Sequence, residues 1–597
     1  MIKNKTKKFF IILGLALLSM AVHSQISLNH IFGNNMVLQR DKPVKIWGWA
    51  APGENVTIKF AGQVKSSITS DEGEWVIYLD PMSANAVPQD FVVVGDNSSV
   101  TFNNVLVGDV WILGGQSNME FDLARIYNGD AEVVSANFPL IRLMTIPRAV
   151  SHIPLKDFKP LNEYDSWNNR YEKKGYWFIC SPETVKTFSG LGYIFGRRIQ
   201  MASKIPIGLI DVSRGGTTVE AWMSTKTLSE TLENKKLLKL WEDKIAAYDP
   251  EENLKKKIRN WEKRTASRKK LGQKPNPKPV KPDPGPALNQ NRPGSCYNGM
   301  LSVFAGLTVK GVIFHQGYNN ALSDARPKLY ALNFKLLIKD WRKAFNNDKM
   351  PFCIVEFSAG GTPQTLDNFE ESMIDAAPFI REGQFKAYKD MDNVGYVCAY
   401  DQQVNWYHPQ KKVEIGERIA RWAMSTQYGF DLGWEPAEYT NVEKLKDKII
   451  ITFSKEIKTS DDRPFEGFAI AGIDRHFYPA EAKYVALGKN NKGEIIYDKK
   501  KLEIFNKLVP EPKEVRYAWA RNPIGNVVNN TMHERIIPLP LFRTDKWDYP
   551  EAPYDVNEMI KHRKNLNMLR RESKEWAHLR IIQEAEQVLK ENKLELK

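Results

Sequence analysis

Cysteine is scarce in this chain, with four in 597 residues: Cys180, Cys296, Cys353 and Cys398. They lie far apart and show no metal-ligand spacing, so neither a metal centre nor any other cofactor is expected from them. A disulfide or two stays open for a protein that leaves the cytoplasm, with no pairing deducible from the spacing. Long apolar runs are equally scarce. The one present, Phe9 to Val22, is too short for a comfortable membrane span. It follows the basic stretch Met1 to Lys8 and precedes Val22 and Ser24, which stand at the −3 and −1 positions of a cut before Gln25. These are the parts of a secretory signal peptide over residues 1–24. No cysteine stands at the cut to carry a lipid. The expectation is a secreted, periplasmic protein with no membrane span.

An evenly spread basic charge is also missing. The formal net charge is +14; without the four lysines of the leader it is +10, and residues 225–290, with 17 Lys/Arg and 9 Asp/Glu, carry +8. A charge confined to one segment is not a nucleic-acid footprint, and no nucleic-acid partner is expected. That segment opens with helical spacing (Leu237, Leu238, Trp241, Ile245, then Leu254, Ile258, Trp261). It ends over 274–286 with proline at nearly every second position, which forces an extended strap. It reads as a surface insertion built on a solvated helical hairpin.

The rest of the chain divides by periodicity. Residues 25–104 alternate in strand fashion, as in Val44–Trp49 and Val56–Phe60, with turn residues at sandwich-like intervals. From 105 to 429 short apolar strands (Leu140–Met144, Ile207–Val212, Val309–Phe314, Phe352–Glu356) alternate with helical segments (Leu191–Ala202, Pro327–Phe345). That alternation predicts an α/β fold with a parallel, doubly wound sheet. Residues 430–545 return to strand patterning as a second β module. The tail, 546–597, reads as a charged helix with apolar residues at Leu566, Leu569, Trp576 and Leu579.

The chemistry gathers at strand ends. Val105–Leu113 reads as a buried strand that runs into Gly114, Gly115, Gln116 and Ser117. Ser117 is thereby set on the first turn beyond the sheet edge, in the crevice where open α/β sheets place their sites. After the strand ending at Val212 come Ser213, Arg214, Gly215 and Gly216; a glycine pair there lets a backbone N–H approach a ligand oxygen closely, as an oxyanion hole requires. After Phe314 come Gln316 and Asn320, whose amides are set at the same crevice. His408, followed by Pro409, is held in a loop ahead of the helix Val413–Met424.

In this order the residues resemble the sialate O-acetylesterase family of SGNH hydrolases, exported carbohydrate esterases. The resemblance rests on Asn35–Gln39, Gly108–Trp111, Gly115–Met119, Gly215–Thr217 with Glu220–Trp222, Tyr297–Met300, Lys310–Ile313, His408–Pro409 with Gly416–Arg418, and Val515–Ala520. It implies a flavodoxin-like hydrolase domain flanked by β-sandwich-like modules, and an acetylated glycan as substrate. It implies Ser117 as nucleophile and His408 as general base. The Ser117 N–H, the Gly215 or Gly216 N–H and an amide of Gln316 or Asn320 would hold the oxyanion. Two positions depart from the family pattern. Asn405 stands where an Asp usually precedes the histidine by three residues, and Tyr318 stands where a Glu is common. Asp401 is then the substitute acid, or the site works as a Ser–His dyad. Acetylated polysaccharides such as xylan are the alternative substrate, and glycan binding on a decayed esterase scaffold is the non-catalytic alternative.

Overall fold

The structure is a computed structural model; it describes residues 25–592 except 166, 323–324, 403 and 535. The expected leader lies outside the described residues. Seven strands form the central sheet: β1 (Ser99–Gly115), β2 (Phe138–Thr145), β3 (Trp177–Cys180), β4 (Ile207–Asp211), β5 (Gly311–His315), β6 (Phe352–Val355) and β7 (Val394–Val397). Their order is β3-β2-β4-β1-β5-β6-β7. All neighbours are parallel except β3, which runs antiparallel to β2 at the edge. The parallel α/β sheet expected from the alternation is therefore present, with one reversed edge strand that the alternation does not show.

Four helices cover the sheet: α1 (Gly190–Ser203), α2 (Pro327–Ala344), α3 (Ala377–Asp390) and α4 (Lys412–Gln427). Their apolar faces close two cores, one around Trp341 and Phe314, the other around Trp111, Phe195 and Trp422. Fully buried strands such as β4 and β5 have no polar face because helices lie on both sides.

β1 is the axis of the molecule. Up to Asn104 its residues alternate between exposed and half-buried, and from Val105 every residue is buried. Its first part, Ser99–Gly108, pairs with Asn85–Val94 and Val37–Gln39 of the N-terminal β module. Its second part, Asp109–Gly115, pairs with β4 and β5. The change of burial at 105 thus precedes the change of neighbours, which falls between Gly108 and Asp109 of one continuous strand.

Within 225–290 the two long helices are Leu232–Ala246 and Pro250–Lys270, preceded by the short helix Thr225–Leu228, and Pro250–Lys270 buries no residue. The proline-rich strap folds back on them: Trp261 Nε1 donates to the Asn276 carbonyl at 2.7 Å and the Tyr248 hydroxyl to that of Asp283 at 2.5 Å. The tail is one helix, Val556–Glu591. Leu569, Trp576 and Leu579 stay 39%, 40% and 49% exposed, so apolar spacing does not seat it. Polar contacts do: Ser573 Oγ and Arg580 donate to Glu370 at 2.8 and 3.1 Å, and Arg570 donates to the Ile374 carbonyl. All four cysteines are buried free thiols. Among the described residues no helix is long and apolar enough to cross a membrane.

Candidate active site

The carboxyl ends of β1, β2, β4, β5 and β7 converge on a cavity of about 540 Å³. Ser117 and Glu120 enter it after β1, Arg148 after β2, Gly215 and Gly216 after β4, Tyr318 and Asn319 after β5, and Tyr407 and His408 after β7. This is the crevice position that an open α/β sheet makes available.

The turn after β1 works because of its glycines. Gly115 has φ +123°, and a Cβ there would meet the His315 carbonyl oxygen at 2.1 Å. No other residue fits so close to β5. The chain then enters the short helix Ser117–Glu120. As its first residue, Ser117 has an N–H without an intrahelical acceptor.

Gly215 lies against Ser117: a Cβ on it would meet Ser117 Cβ at 3.2 Å and Glu120 Oε2 at 2.9 Å. Its own N–H donates to Glu120 Oε2 at 2.6 Å. The opposite oxygen of Glu120 accepts from Arg148, which also binds Asp165 at 2.9 Å. So the Gly215 donor is engaged, while Gly216 carries its peptide at φ +73° with its carbonyl fixed by Gln290, Asn291 and Asn319. Asp211 braces the same turn, accepting from the Ser213 N–H at 2.9 Å and hydroxyl at 2.5 Å. Burial pushes its carboxyl up to about 7, against the hydrogen bonds of Ser213.

Gln316 and Asn320 stand behind the cavity wall. The Gln316 amide nitrogen donates to Gln116, Thr217 and Asn320, and that of Asn320 to both oxygens of Glu220. All their donors are committed inside the protein, which removes both from the set of free oxyanion donors. Asn319 and Tyr318 line the cavity in their place. Tyr318 stacks on Phe357 with centroids 5.4 Å apart.

His408 is 3% exposed, and its Nδ1 has no hydrogen-bond partner among the described residues. Asn405, three residues earlier, is exposed. Asp401 is held elsewhere: both its oxygens accept from the Arg418 guanidinium, at 2.9 and 2.5 Å. The substitute acid proposed by spacing is therefore an ion-pair partner of α4, because a guanidinium fork satisfies a carboxylate better than one imidazole N–H can. Rings hold His408 instead. Trp167, Tyr407, Trp406 and Phe121 pack around it with centroids 4.5, 4.6, 5.1 and 5.9 Å away. Burial lowers its pKa to about 3, assisted by the charges of Lys412 and Arg125. Among the described residues no cluster of His, Cys, Asp or Glu could hold a metal ion.

Sequence reasoning brought Ser117, Gly215, Gly216 and His408 to this cavity. It missed Glu120, Arg148, Arg214, Trp167, Tyr407 and Lys412. Trp167 sits on a hairpin between Leu161–Asp165 and Arg170–Lys174, a segment with no motif to announce it. Lys412 did leave a signal, one helical turn after His408.

The family model for carbohydrate esterases described as sialic acid-specific acetylesterases matches residues 107–247 and 285–425. The gap falls within the basic insertion. Sialate O-acetylesterase of Mus musculus is 26% identical over 551 residues, covering 85% of this chain and 92% of the mouse protein. That of Homo sapiens is 25% identical over 467 residues, covering 72% and 78%. Among solved structures, a carbohydrate acetylesterase from Xanthomonas citri aligns with a TM-score of 0.68 at 24% identity, covering 87% of this chain and all of that one. At that identity the likeness establishes the fold.

Proposed function

We propose, from this chain's membership of the sialate O-acetylesterase family of carbohydrate esterases, that it is an exported serine esterase removing O-acetyl groups from sialylated glycans. The observation that carries the chemistry is the shared cavity of Ser117 and His408 with Gly215 pressed against the serine. Ser117 Oγ attacks the acetyl carbonyl as His408 takes its proton. The carbonyl oxygen, now an alkoxide, accepts from backbone N–H groups of Ser117 and Gly216. Its collapse breaks the bond to the sugar oxygen, which leaves with the proton from His408. Water, deprotonated by His408, then attacks the serine ester, and acetate is released as His408 returns the proton to Ser117 Oγ.

No carboxylate completes a triad in this reading. The aromatic packing around His408 fixes the ring orientation that an acid otherwise sets, and the site acts as a dyad. The choice of a sialylated over a neutral substrate rests on Arg214. It lines the cavity and, among the described residues, bonds only neutral groups, Gln290 at 2.8 Å and the Ala149 carbonyl at 3.2 Å. A guanidinium without a carboxylate partner is suited to the carboxylate of a sialic acid. Trp167, Tyr318 and Tyr407 supply faces for the sugar ring.

The test is hydrolysis of a small chromogenic acetate, an O-acetylated sialoside and acetylated xylan by the full-length chain, Ser117→Ala and Arg214→Gln. Loss of all turnover in Ser117→Ala, and a raised KM on the sialoside alone in Arg214→Gln, is the expected pair. Ser117-independent turnover would remove the mechanism. Better turnover of acetylated xylan, unaffected by Arg214→Gln, would replace the substrate.

A further inference from the structure

A second cavity, of about 580 Å³, opens where the N-terminal β module meets the α/β domain. It has no part in the chemistry above. On one side the strand Val44–Trp49 presents Lys45, Trp47 and Trp49, successive residues of its outward face, all half-buried while Val44, Ile46 and Gly48 turn inward. On the other stands Tyr297, carried by the π-helical turn Tyr297–Leu301. Such turns are uncommon and often mark functional sites. A Cβ on Gly299 of this turn would meet the Ala149 carbonyl at 2.8 Å, so the turn is pressed against the segment that leaves β2.

The charges of the lining are unbalanced. Lys45, Lys156, Lys226 and Lys343 face Glu74 and Asp340. Glu74 is paired with Lys156, and Asp340 accepts from the Ser224 N–H, the Ser224 hydroxyl and the Thr227 hydroxyl at 2.6, 2.8 and 2.6 Å. Lys45, Lys226 and Lys343 have no ion pair among the described residues. Lys45 is half-buried, its ammonium 4.9 Å from the Trp47 ring centre, and burial lowers its pKa against the charge of Glu74, whose ion pair is with Lys156. A partly desolvated cation without an ion-pair partner of its own is a cost that a bound anion reduces.

The aromatic groups also have unused capacity. Trp75 is 1% exposed, lines the cavity, and its indole N–H has no partner among the described residues. The Trp49 indole and the Tyr297 hydroxyl make no hydrogen bond, and their rings no ring pairing, among the described residues. Amphipathic rings beside cations suit a ligand with both an apolar ring face and a negative charge.

We propose that this cleft is an accessory binding site for a carboxylate-bearing sugar unit of a glycan, distinct from the cavity of Ser117. Trp49 and Tyr297 stack on the sugar ring, and Lys45, Lys226 and Lys343 take the carboxylate. The chain itself links the two sites. Arg148 lines the first and Pro154 to Lys156 line the second, and the six residue steps from Arg148 to Pro154 span at most about 22 Å. One oligosaccharide can reach from the cleft toward the serine, and the cleft raises the local concentration of substrate at the esterase site.

The test uses calorimetric titration of the full-length chain carrying Arg214→Gln, so that carboxylate capture in the esterase cavity does not contribute. The probes are 3′-sialyllactose, trigalacturonate and neutral xylotetraose, none of which bears an acetyl ester. At least one acidic probe binds, at least tenfold more tightly than xylotetraose, and binding weakens several-fold between about 0.05 and 0.5 M salt. Trp49→Ala weakens it at least tenfold and Lys343→Gln about threefold, with small-ester turnover of each single variant unchanged. Binding of the sialoside alone or the uronate alone assigns the sugar. Lys343 is exposed, so its replacement tests the charge even where Trp49→Ala disturbs the module. Absence of binding by both acidic probes, equal binding of xylotetraose, or parental affinity in both variants overturns the proposal, and leaves the esterase reading untouched.

Discussion

The Lys412 ammonium donates to Oδ1 of Asn118 across 2.6 Å, with both side chains buried. This contact ties α4 to the helix that begins at Ser117, and Asn118 Nδ2 completes the seam by donating to the Tyr407 carbonyl at 3.1 Å. The residue after Ser117 thus holds the residue before His408. It also places a cation, with no carboxylate bonded to it among the described residues, beside His408. Burial pushes Lys412 down to about 7, so it is charged on the acid side of neutrality. There its charge adds to burial in lowering the His408 pKa to about 3.

The sign of the pH dependence follows. A base works unprotonated, so kcat/KM falls only below its own pKa. With His408 lowered, turnover of the small ester at pH 5 stays within a few-fold of that at pH 7, where an ordinary imidazole with a pKa of about 6.5 would already have lost more than tenfold. Lys412→Met removes the charge and moves the acid limb up toward the ordinary histidine range. The pH–rate profile, with an NMR titration of the His408 ring, checks it. An unmoved limb in the variant would show that burial alone sets the base.

Asp401→Asn separates a triad acid from a structural ion pair. Both oxygens of Asp401 face Arg418, whose side chain is only 8% exposed. Loss of the charge leaves that guanidinium short of a partner. The expected cost is about 1–3 kcal/mol in unfolding free energy, reduced from the fully buried case because Asp401 is itself 27% exposed. kcat/KM on the small ester stays within about threefold of the parent, since no bond links Asp401 to His408. A loss near the 10⁴-fold associated with removing a triad acid, in folded protein, would restore Asp401 to the catalytic set.

The reading of the chain from its sequence succeeded where one local signal decides the outcome. The apolar run Val105–Leu113 is β1, continued to Gly115, and the helical spacing of Leu191–Ala202 is α1, Gly190–Ser203. Ser117 and His408 do meet in one cavity. It failed where a distant partner decides. Asp401 looked available by its spacing from His408, but Arg418 claims it from the next helix. The tail read as a charged helix with no partner face assigned; it is a helix, and Glu370 seats it through Ser573 and Arg580. Trp167 reaches His408 from a hairpin whose own residues are mostly polar. The four-residue edge strand Trp177–Cys180 is too short to carry a direction in its pattern.

Gly215→Ala tests the closeness of the turn to the serine. The φ of Gly215 lies outside the left-handed region, so the backbone accepts alanine there. The new methyl, however, sits 3.2 Å from Ser117 Cβ and 2.9 Å from Glu120 Oε2. Relief comes by displacing the serine or by breaking the Glu120 bond to the Gly215 N–H. Either outcome costs kcat about 10²-fold by misplacing the reacting groups, with little loss of stability. Steady-state kinetics with a thermal melt decides, and parental kcat would mean that Glu120 swings away freely.

Asn405→Asp puts a carboxylate at the position where the family resemblance implies one. In this structure Asn405 is exposed and makes no bond to His408, whose Nδ1 is buried and unpartnered among the described residues. A carboxylate in that place stays hydrated and is screened from the ring by Trp406, which packs on His408 at 5.1 Å. The expected gain in kcat/KM on the small ester is therefore less than threefold, with no upward shift of the acid limb. A gain above tenfold, together with a raised His408 pKa, would show that the 405–408 loop closes during turnover and brings position 405 onto Nδ1. The dyad would then be a feature of the resting enzyme alone, and the asparagine, rather than the loop geometry, would be what limits the parent.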